Sequence, residues 1–126
     1  MLTLTPGRLM LAQLRGLAAS HTPIELAAEC EAPVRAAAAT VQTVVTAGVP
    51  VYGINTGFGK LAHVQIADDQ LEQLQTNLVR SHAAGVGLLL EDATVRLILV
   101  LKIVSLARGY SGVRWEVVQT LVALHN

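Results

Sequence analysis

The most apolar stretch of the chain, residues 93–107, limits the possible folds more than any other feature. Arg96 and Lys102 interrupt it, and it is shorter than the roughly 20 residues that a membrane-spanning helix requires. An apolar surface on nearly all sides is typical of a helix that is packed on several faces. The sequence therefore predicts a mainly α fold with a buried helix in this region, and it predicts no membrane span.

The composition favours a domain that buries surface against other protein. Hydrophobic residues make up 52% of the 126 residues and charged residues 14%, whereas an average soluble domain has about 25% charged residues. A domain of this size exposes a large share of its surface, so part of that surface must be apolar. We therefore expect association with further chain or with another copy. The net charge of zero without a basic stripe gives nucleic-acid binding little support.

Two helices are predicted in the first part of the chain. Thr5 and Pro6 have the pattern of an N-cap and a first helical turn, and the run at residues 20–23 should close this helix. A second helix is predicted from about residue 33 to residue 47, with Gly48 as its C-terminal stop.

Three more helices are predicted after the middle of the chain. Asp69 and Glu72 have the spacing of a capping box, which opens a helix that carries a leucine stripe to His82. Asp92 is the expected N-cap of the apolar helix, which should extend to about Arg108. A last helix is predicted over residues 114–124.

A glycine-rich stretch separates the second and third predicted helices. Residues 49–54 have the character of a short extended segment, which its proline confines to a sheet edge or a turn. Gly53, Gly57 and Gly59 predict a loop whose backbone adopts conformations that a β-carbon forbids. The spacing is not that of a phosphate-binding loop, because neither Ser nor Thr follows Lys60.

Tyr52 and His82 are the candidates for chemistry. Tyr52 is either a half-buried strand residue or a phenol held by the glycine loop beside a pocket. A free phenol titrates near pH ~10, so a tyrosine base needs donors, cations or helix N-termini that stabilise the phenolate. His82 is either a packed core histidine or a ring at the edge of a cavity. The histidines have no metal-ligand spacing, so no metal is predicted.

Three stretches read YGINTGFG at residues 52–59, LQTNLVRSHAAGVG at residues 74–87 and RGYSGVR at residues 108–114. They closely resemble signature motifs of the aromatic amino acid ammonia-lyase family, in the family's order and at its spacing. With weaker similarity outside them, the resemblance covers nearly the whole chain from about Leu4. It implies an N-terminal helical domain beside a long central helical bundle, into which the helix from Asp92 would lead.

The resemblance implies a chemistry and a role for the first two motifs. Family members remove ammonia from an α-amino acid with an electrophilic methylidene-imidazolone (MIO), which forms from an internal Ala-Ser-Gly. Tyr52 occupies the position of the family's base for the β-proton. Ser81 and His82 occupy the pair that faces the substrate ring, and they resemble the histidine-specific branch, which converts L-histidine to urocanate and ammonia in histidine degradation. The implied active-site loop contains Gly53, Asn55, Thr56, Gly57 and Gly59.

The choice of substrate leaves alternatives. Enzymes that act on phenylalanine typically have apolar residues at the ring-facing pair, since an unpaired polar group in a pocket costs about 1–3 kcal/mol. Some tyrosine-acting relatives also have a histidine there, so a tyrosine ammonia-lyase or aminomutase is a second interpretation. A third is a non-enzymatic helical interaction domain whose motifs are inherited but unused.

The cofactor-forming segment is absent from this sequence, since no Ala-Ser-Gly occurs in residues 1–126. In the family it lies shortly after the third motif. We therefore expect an N-terminal portion of the domain that is inactive alone and that acquires MIO only in the intact protein. The resemblance also implies a tetramer whose active sites combine several subunits.

The cellular setting is predicted from the first residues and from the cysteine content. No basic region precedes an apolar run at the N-terminus, so a signal peptide is not expected. The single cysteine, Cys30, excludes a disulfide within the chain, which fits a reducing compartment and a cytoplasmic location. We expect Cys30 to pack as a small apolar residue.

Overall fold

A computed structural model describes all residues, 1–126, and is mainly helical. The five α-helices are α1 (Leu11–Ala19), α2 (Glu31–Ala47), α3 (Leu71–His82), α4 (Asp92–Leu106) and α5 (Trp115–His125). Two short strands, β1 (Leu2–Leu4) and β2 (Ile24–Leu26), precede α1 and α2 respectively. Short 3₁₀ turns lie at Ala28–Cys30, Gly59–Leu61 and Asp68–Gln70. The helices all fall short of the length and apolar character needed to cross a membrane.

The chain divides into two compact units. The scaffold unit comprises Met1–Thr40 and Leu89–Asn126, and the motif unit comprises Val41–Leu88. The motif unit carries the first two sequence motifs, and the scaffold unit carries the third.

The core of the scaffold unit consists of two apolar clusters. Helix α4 packs against α1 and α5, and it buries Val100 and Ile103 in the first cluster and contributes Ala107, at its C-terminal end, to the second. This spacing of three and four residues is that of one helix face. The other buried members are Leu4, Leu17 and Ile24 in the first cluster, and Ala27, Cys30, Val34 and Val118 in the second.

Burial of α4 on several sides was expected, and the structure limits it to one side. Val95, Ile98 and Leu101 repeat at intervals of three residues along the opposite face and are exposed. The helix is therefore buried as predicted at Val100 and Ile103, while its other face remains apolar and uncovered.

Helix α1 starts later than predicted, at Leu11 rather than near Thr5. The Thr5 carbonyl accepts a hydrogen bond from the Arg8 N–H (3.1 Å) in a turn. Gly7 has a φ of +80°, which no right-handed helix contains. This turn lies between the end of β1 at Leu4 and the start of the helix at Leu11.

Residues 49–54 do not form a strand, so the sheet-edge alternative is wrong and the turn alternative is confirmed. The two strands are β1 and β2, which pair in parallel with Leu2 opposite Ile24 and Leu4 opposite Leu26. Residues 52–54 form a turn instead, closed by a hydrogen bond from the Ile54 N–H to the Val51 carbonyl (3.1 Å). Strands of three residues are too short to show an alternating pattern, which explains why the sequence did not reveal them.

The limits of the remaining helices mostly agree with the predictions. Helix α2 ends at Ala47, and Gly48 follows with a φ of +64°, as a C-terminal glycine stop requires. The capping box at Asp69 and Glu72 is wrong, because a 3₁₀ turn leads into α3 and no side chain caps it. The N-cap of α4 is Glu91, one residue before the predicted Asp92.

The third motif makes a close turn against the start of α2, inside the scaffold unit. Gly109 has a φ of +76°, and a β-carbon there would lie 2.6 Å from the Pro33 carbonyl carbon. Such a distance is impossible for a real contact, so this position requires glycine. The turn leads into α5, which starts at Trp115 close to its predicted start.

Candidate active site

The end of α2 sets the entry to the glycine-rich loop. The carbonyl of Gly48 accepts a hydrogen bond from Gln65 Nε2 (2.9 Å). Pro50 follows two residues later and disfavours a helical conformation at Val49. The chain therefore leaves α2 at Gly48, and Gln65, from the returning side of the loop, fixes the backbone at this point.

Tyr52 occupies a corner of a tight turn. The Val51 carbonyl accepts from the N–H groups of Ile54 (3.1 Å) and Asn55 (3.3 Å). Gly53, the third residue of the turn, has a φ of +80°, the value that a type II turn requires at this position. Tyr52 therefore projects from the turn, with 63% of its surface exposed.

The Tyr52 ring has one aromatic neighbour. Phe58 lies edge-on to it, with 6.0 Å between the ring centroids and 70° between the ring planes. Of the two interpretations of Tyr52, the half-buried strand tyrosine is wrong. The other interpretation, a phenol held by the glycine loop beside a pocket, agrees with the structure in the loop, and the pocket stays a prediction.

Asn55 and Thr56 are the buried polar side chains of the loop. Asn55 Oδ1 accepts from the Val51 N–H (2.8 Å), and Asn55 Nδ2 donates to the Val49 carbonyl (3.0 Å). The Thr56 hydroxyl donates to the Gly57 carbonyl (3.0 Å). The sequence placed both residues in the loop but did not predict that their side chains would be buried.

A short antiparallel bridge closes the loop behind these residues. Thr56 pairs with Gln65, and the Gly57 N–H donates to the Val64 carbonyl (2.9 Å). A β-carbon on Gly57 would lie 2.8 Å from both the Cβ and the carbonyl oxygen of Leu61. The prediction that this backbone forbids a β-carbon is confirmed here by close packing, and at Gly53 and Gly59 by positive φ values.

Ser81 and His82 lie in the last turn of α3. Leu71, Leu74 and Leu78 form the half-buried stripe that the spacing predicted, and His82 continues it at the exposed helix end. A histidine packed in a core is therefore wrong for position 82.

Both side chains bind the same backbone carbonyl. The Ser81 hydroxyl donates to the Leu78 carbonyl (2.9 Å), and His82 Nδ1 lies 2.9 Å from that oxygen and 3.0 Å from Ser81 Oγ. A carbonyl oxygen only accepts, so the hydrogen bond requires the proton on Nδ1. In the neutral ring, Nε2 is then an acceptor that these contacts leave free.

The structure shows the candidate residues at two separate places in the motif unit, the glycine-rich loop and the end of α3. The structure records no direct contact between Tyr52 and His82. Open clefts of about 250, 290 and 360 Å³ lie in the scaffold unit, and none of them is lined by Tyr52, Ser81 or His82. No group of three or more His, Cys, Asp or Glu side chains is arranged to hold a metal ion. The motif unit thus presents an exposed phenol and an exposed imidazole.

The class of protein follows from comparison with known families. The family model for aromatic amino acid lyases matches residues 9–126. The chain belongs to the aromatic amino acid lyase family, as its three motifs predicted.

Individual members of the family show which of its enzymes this chain is similar to. The histidine ammonia-lyase of Aromatoleum aromaticum is 57% identical over 123 residues, which are 98% of this chain and 23% of that protein. The crystal structure of histidine ammonia-lyase from Trypanosoma cruzi is 37% identical, with a TM-score of 0.86 over 99% of this chain and 25% of that one. The tyrosine aminomutase of Streptomyces globisporus is 30% identical, with a TM-score of 0.91 over 99% and 24%. The chain spans about a quarter of the length of these relatives. Its predicted similarity to histidine ammonia-lyases is confirmed.

Proposed function

We propose that this chain is the N-terminal portion of a histidine ammonia-lyase, which converts L-histidine to urocanate and ammonia. The 57% identity to a histidine ammonia-lyase supports this substrate over others in the family. The observation that carries the proposal is His82, whose Nδ1 is engaged by the Leu78 carbonyl while Nε2 is left as an acceptor. A substrate imidazole offers an N–H donor to such a nitrogen, and a phenyl ring offers none.

Tyr52 is the proposed base. Its phenolate oxygen would take the proton from the substrate β-carbon, and the electrons of that C–H bond would form the α,β double bond as the C–N bond breaks and ammonia leaves. Exposure of the ring and its place on a turn between glycine and proline support this role. The phenolate needs stabilising donors or cations, which the rest of the enzyme would have to supply.

MIO would supply the electrophile that makes the amino group a better leaving group. None of the 126 residues provides its Ala-Ser-Gly precursor. The residues present therefore fit proton removal and ring binding, and they do not fit formation of the electrophile. We accordingly expect no activity from this chain alone.

A tyrosine ammonia-lyase or aminomutase is the second candidate. A phenol O–H can donate to His82 Nε2 as an imidazole N–H can, and the structural similarity to a tyrosine aminomutase supports this alternative. The lower identity of that relative, 30% against 57%, makes it the weaker of the two.

Self-association is the proposed partnership of the intact enzyme, with a tetramer as the expected state. The exposed apolar side chains Leu88, Leu89 and Ile98 support burial against further protein. A cytoplasmic location stays a prediction, supported by the single unpaired cysteine.

The test of the substrate uses an enzyme that joins this chain to the remaining domains of a close relative. Urocanate absorbance is followed with L-histidine, and the unsaturated products of tyrosine and phenylalanine are followed in parallel. His82→Leu should lower kcat/KM for histidine by about 5- to 150-fold, the value of one unpaired polar contact, while phenylalanine is relatively favoured. His82→Gln is the matched control, because its amide can still accept a hydrogen bond. Unchanged selectivity in His82→Leu would rule out this ring contact.

A further inference from the structure

Asn55 is the most completely buried polar side chain of the motif unit, with no exposed surface. Burying an amide costs free energy unless its hydrogen-bonding groups are paired. Its side-chain oxygen accepts from the Val51 N–H (2.8 Å), and its side-chain nitrogen donates to the Val49 carbonyl (3.0 Å). Both hydrogen-bonding groups of the buried amide are therefore paired with backbone groups of residues 49–51.

The backbone of Asn55 is engaged as well. Its N–H donates to the Val51 carbonyl (3.3 Å), and its carbonyl accepts from the Ile66 N–H (2.9 Å). One residue thus holds the turn from inside and joins it to the returning chain. Tyr52 lies within the ring of atoms that these bonds close, between Val51 and Asn55.

We propose that Asn55 is the positioning residue for Tyr52, and that its amide sets the direction in which the phenol leaves the loop. Phe58 touches the Tyr52 ring only edge-on, and the motif unit buries no hydrophobic side chain that could fix the turn by packing. Hydrogen bonds then have the larger part in holding the backbone of the turn. The Asn55 amide supplies the side-chain bonds to Val49 and Val51, and Gln65 binds only the preceding Gly48 carbonyl. Because the amide is fully buried, Asn55 acts through Tyr52 and does not touch the substrate.

A double-mutant cycle tests this role, which rests on the proposed function of Tyr52. The enzyme is the hybrid that joins this chain to the remaining domains of a close relative. Asn55→Ala should lower kcat for L-histidine by about 10- to 100-fold with little change in KM, because a displacement of about 1 Å can cost 100-fold in rate. In the Tyr52→Phe background, the same substitution should change the residual kcat little, because the base it positions has been removed. An equal loss in both backgrounds, or no loss in either, would overturn the proposal.

Asn126 provides a matched control. Its side chain makes the same pair of bonds to another residue, accepting from the Ile24 N–H (2.8 Å) and donating to the Ile24 carbonyl (2.8 Å) in the scaffold unit. Asn126→Ala therefore removes equivalent bonds away from the Tyr52 turn. It should lower the urea midpoint, and any change in kcat should be the same in the original and the Tyr52→Phe backgrounds.

Amide hydrogen exchange measures how firmly the turn is held and does not require an active enzyme. In the 126-residue chain, Asn55→Ala should speed exchange of the Val51 N–H by about tenfold, the effect of losing one buried hydrogen bond, while amides of α4 keep their rates. Asn55→Asp, which has the same shape but lacks the donor to Val49, replaces the alanine variant if that one does not fold. Unchanged Val51 exchange would overturn the positioning role. A third outcome separates the two proposals. If Tyr52→Phe retains full turnover while Asn55→Ala still accelerates Val51 exchange, Tyr52 is not the base, but Asn55 does hold the turn.

Discussion

All of the buried hydrophobic side chains lie in the scaffold unit, whereas the buried side chains of the motif unit are the polar Asn55 and Thr56. The scaffold unit gains stability from apolar contacts, which have little directional preference. The motif unit depends on hydrogen bonds and on glycines at Gly53, Gly57 and Gly59, which specify backbone directions. The same chain thus combines a unit organised for stability with one organised to aim side chains.

This difference bears on the exposure of the candidate residues Tyr52 and His82. Regions with few buried apolar contacts open at low free energy, and binding loops are drawn from such regions. Tyr52 and His82 are exposed, and the apolar side chains of the motif unit are at most half-buried. Their precise placement therefore depends on local hydrogen bonds here, and on the further chain that we propose for the complete enzyme.

The largest expected effect is on activity and comes from the motif unit. In the complete enzyme, Tyr52→Phe should lower kcat by about 100- to 10,000-fold, the usual contribution of a general base. The ring and its edge contact with Phe58 are kept, so KM and the urea midpoint should change little. Steady-state kinetics with L-histidine measure both parameters. A rise in KM at constant kcat would instead indicate that Tyr52 only binds substrate.

The largest effect on stability should come from the scaffold unit. Ile103→Ala removes a fully buried side chain of α4, which should cost about 2–5 kcal/mol in the free energy of unfolding. Ile98→Ala, on the exposed face of the same helix, is the control and should fall within about 0.5 kcal/mol of the original chain. Urea unfolding followed by circular dichroism measures both. Equal costs at the two positions would contradict the one-sided burial of α4.

Glycine-to-alanine substitutions should have smaller effects on stability, and of opposite sign in the two units. Gly57→Ala places a methyl group against Leu61, and we expect a loss of about 1–3 kcal/mol or a rearranged loop. Gly16→Ala in α1 meets no atom within 4 Å beyond its chain neighbours and the backbone of its own helix, and it should stabilise the chain by about 0.5–1 kcal/mol. Urea midpoints of the two variants should therefore move in opposite directions. Stabilisation by Gly57→Ala would show that the loop does not need this glycine.

The smallest effect concerns the Cys30 thiol. Burial, with a lesser contribution from Glu29, raises the pKa of this thiol above its usual value. The unfolded chain then loses its thiol proton at lower pH than the folded one, so this contribution to stability is complete below the unfolded pKa and declines as pH rises through the folded pKa. Between pH 8 and 10 the original chain should lose more stability than Cys30→Ala. Parallel slopes of urea midpoint against pH would contradict this.

The features predicted from sequence were those with long or specific patterns. The end of α2 at Gly48, the leucine stripe of α3 and the start of α5 all follow from helical spacing and stop residues. The family followed from three motifs, which suffice to name Tyr52 and His82 as candidates. Each of these signals is local in sequence.

The features that the sequence did not reveal depend on contacts between distant residues. The pairing of Leu2 with Ile24 joins strands of three residues, which are too short for an alternating pattern. The burial of Asn55 depends on its hydrogen bonds to Val49 and Val51 and on the returning chain at Ile66, which closes the loop. An asparagine among glycines suggests a turn, but not which backbone groups its amide will bind.

Native-state hydrogen exchange of the 126-residue chain tests most directly whether the two units are held differently. At low urea concentrations, the amides of Val100 and Ile103 should exchange only through global unfolding, whereas those of Val51 and Gly57 should exchange through a local opening of lower free energy. Ile103→Ala should lower the first free energy and leave the second unchanged. A single free energy for all four amides, lowered equally by Ile103→Ala, would show that the chain unfolds as one cooperative unit and would contradict the account.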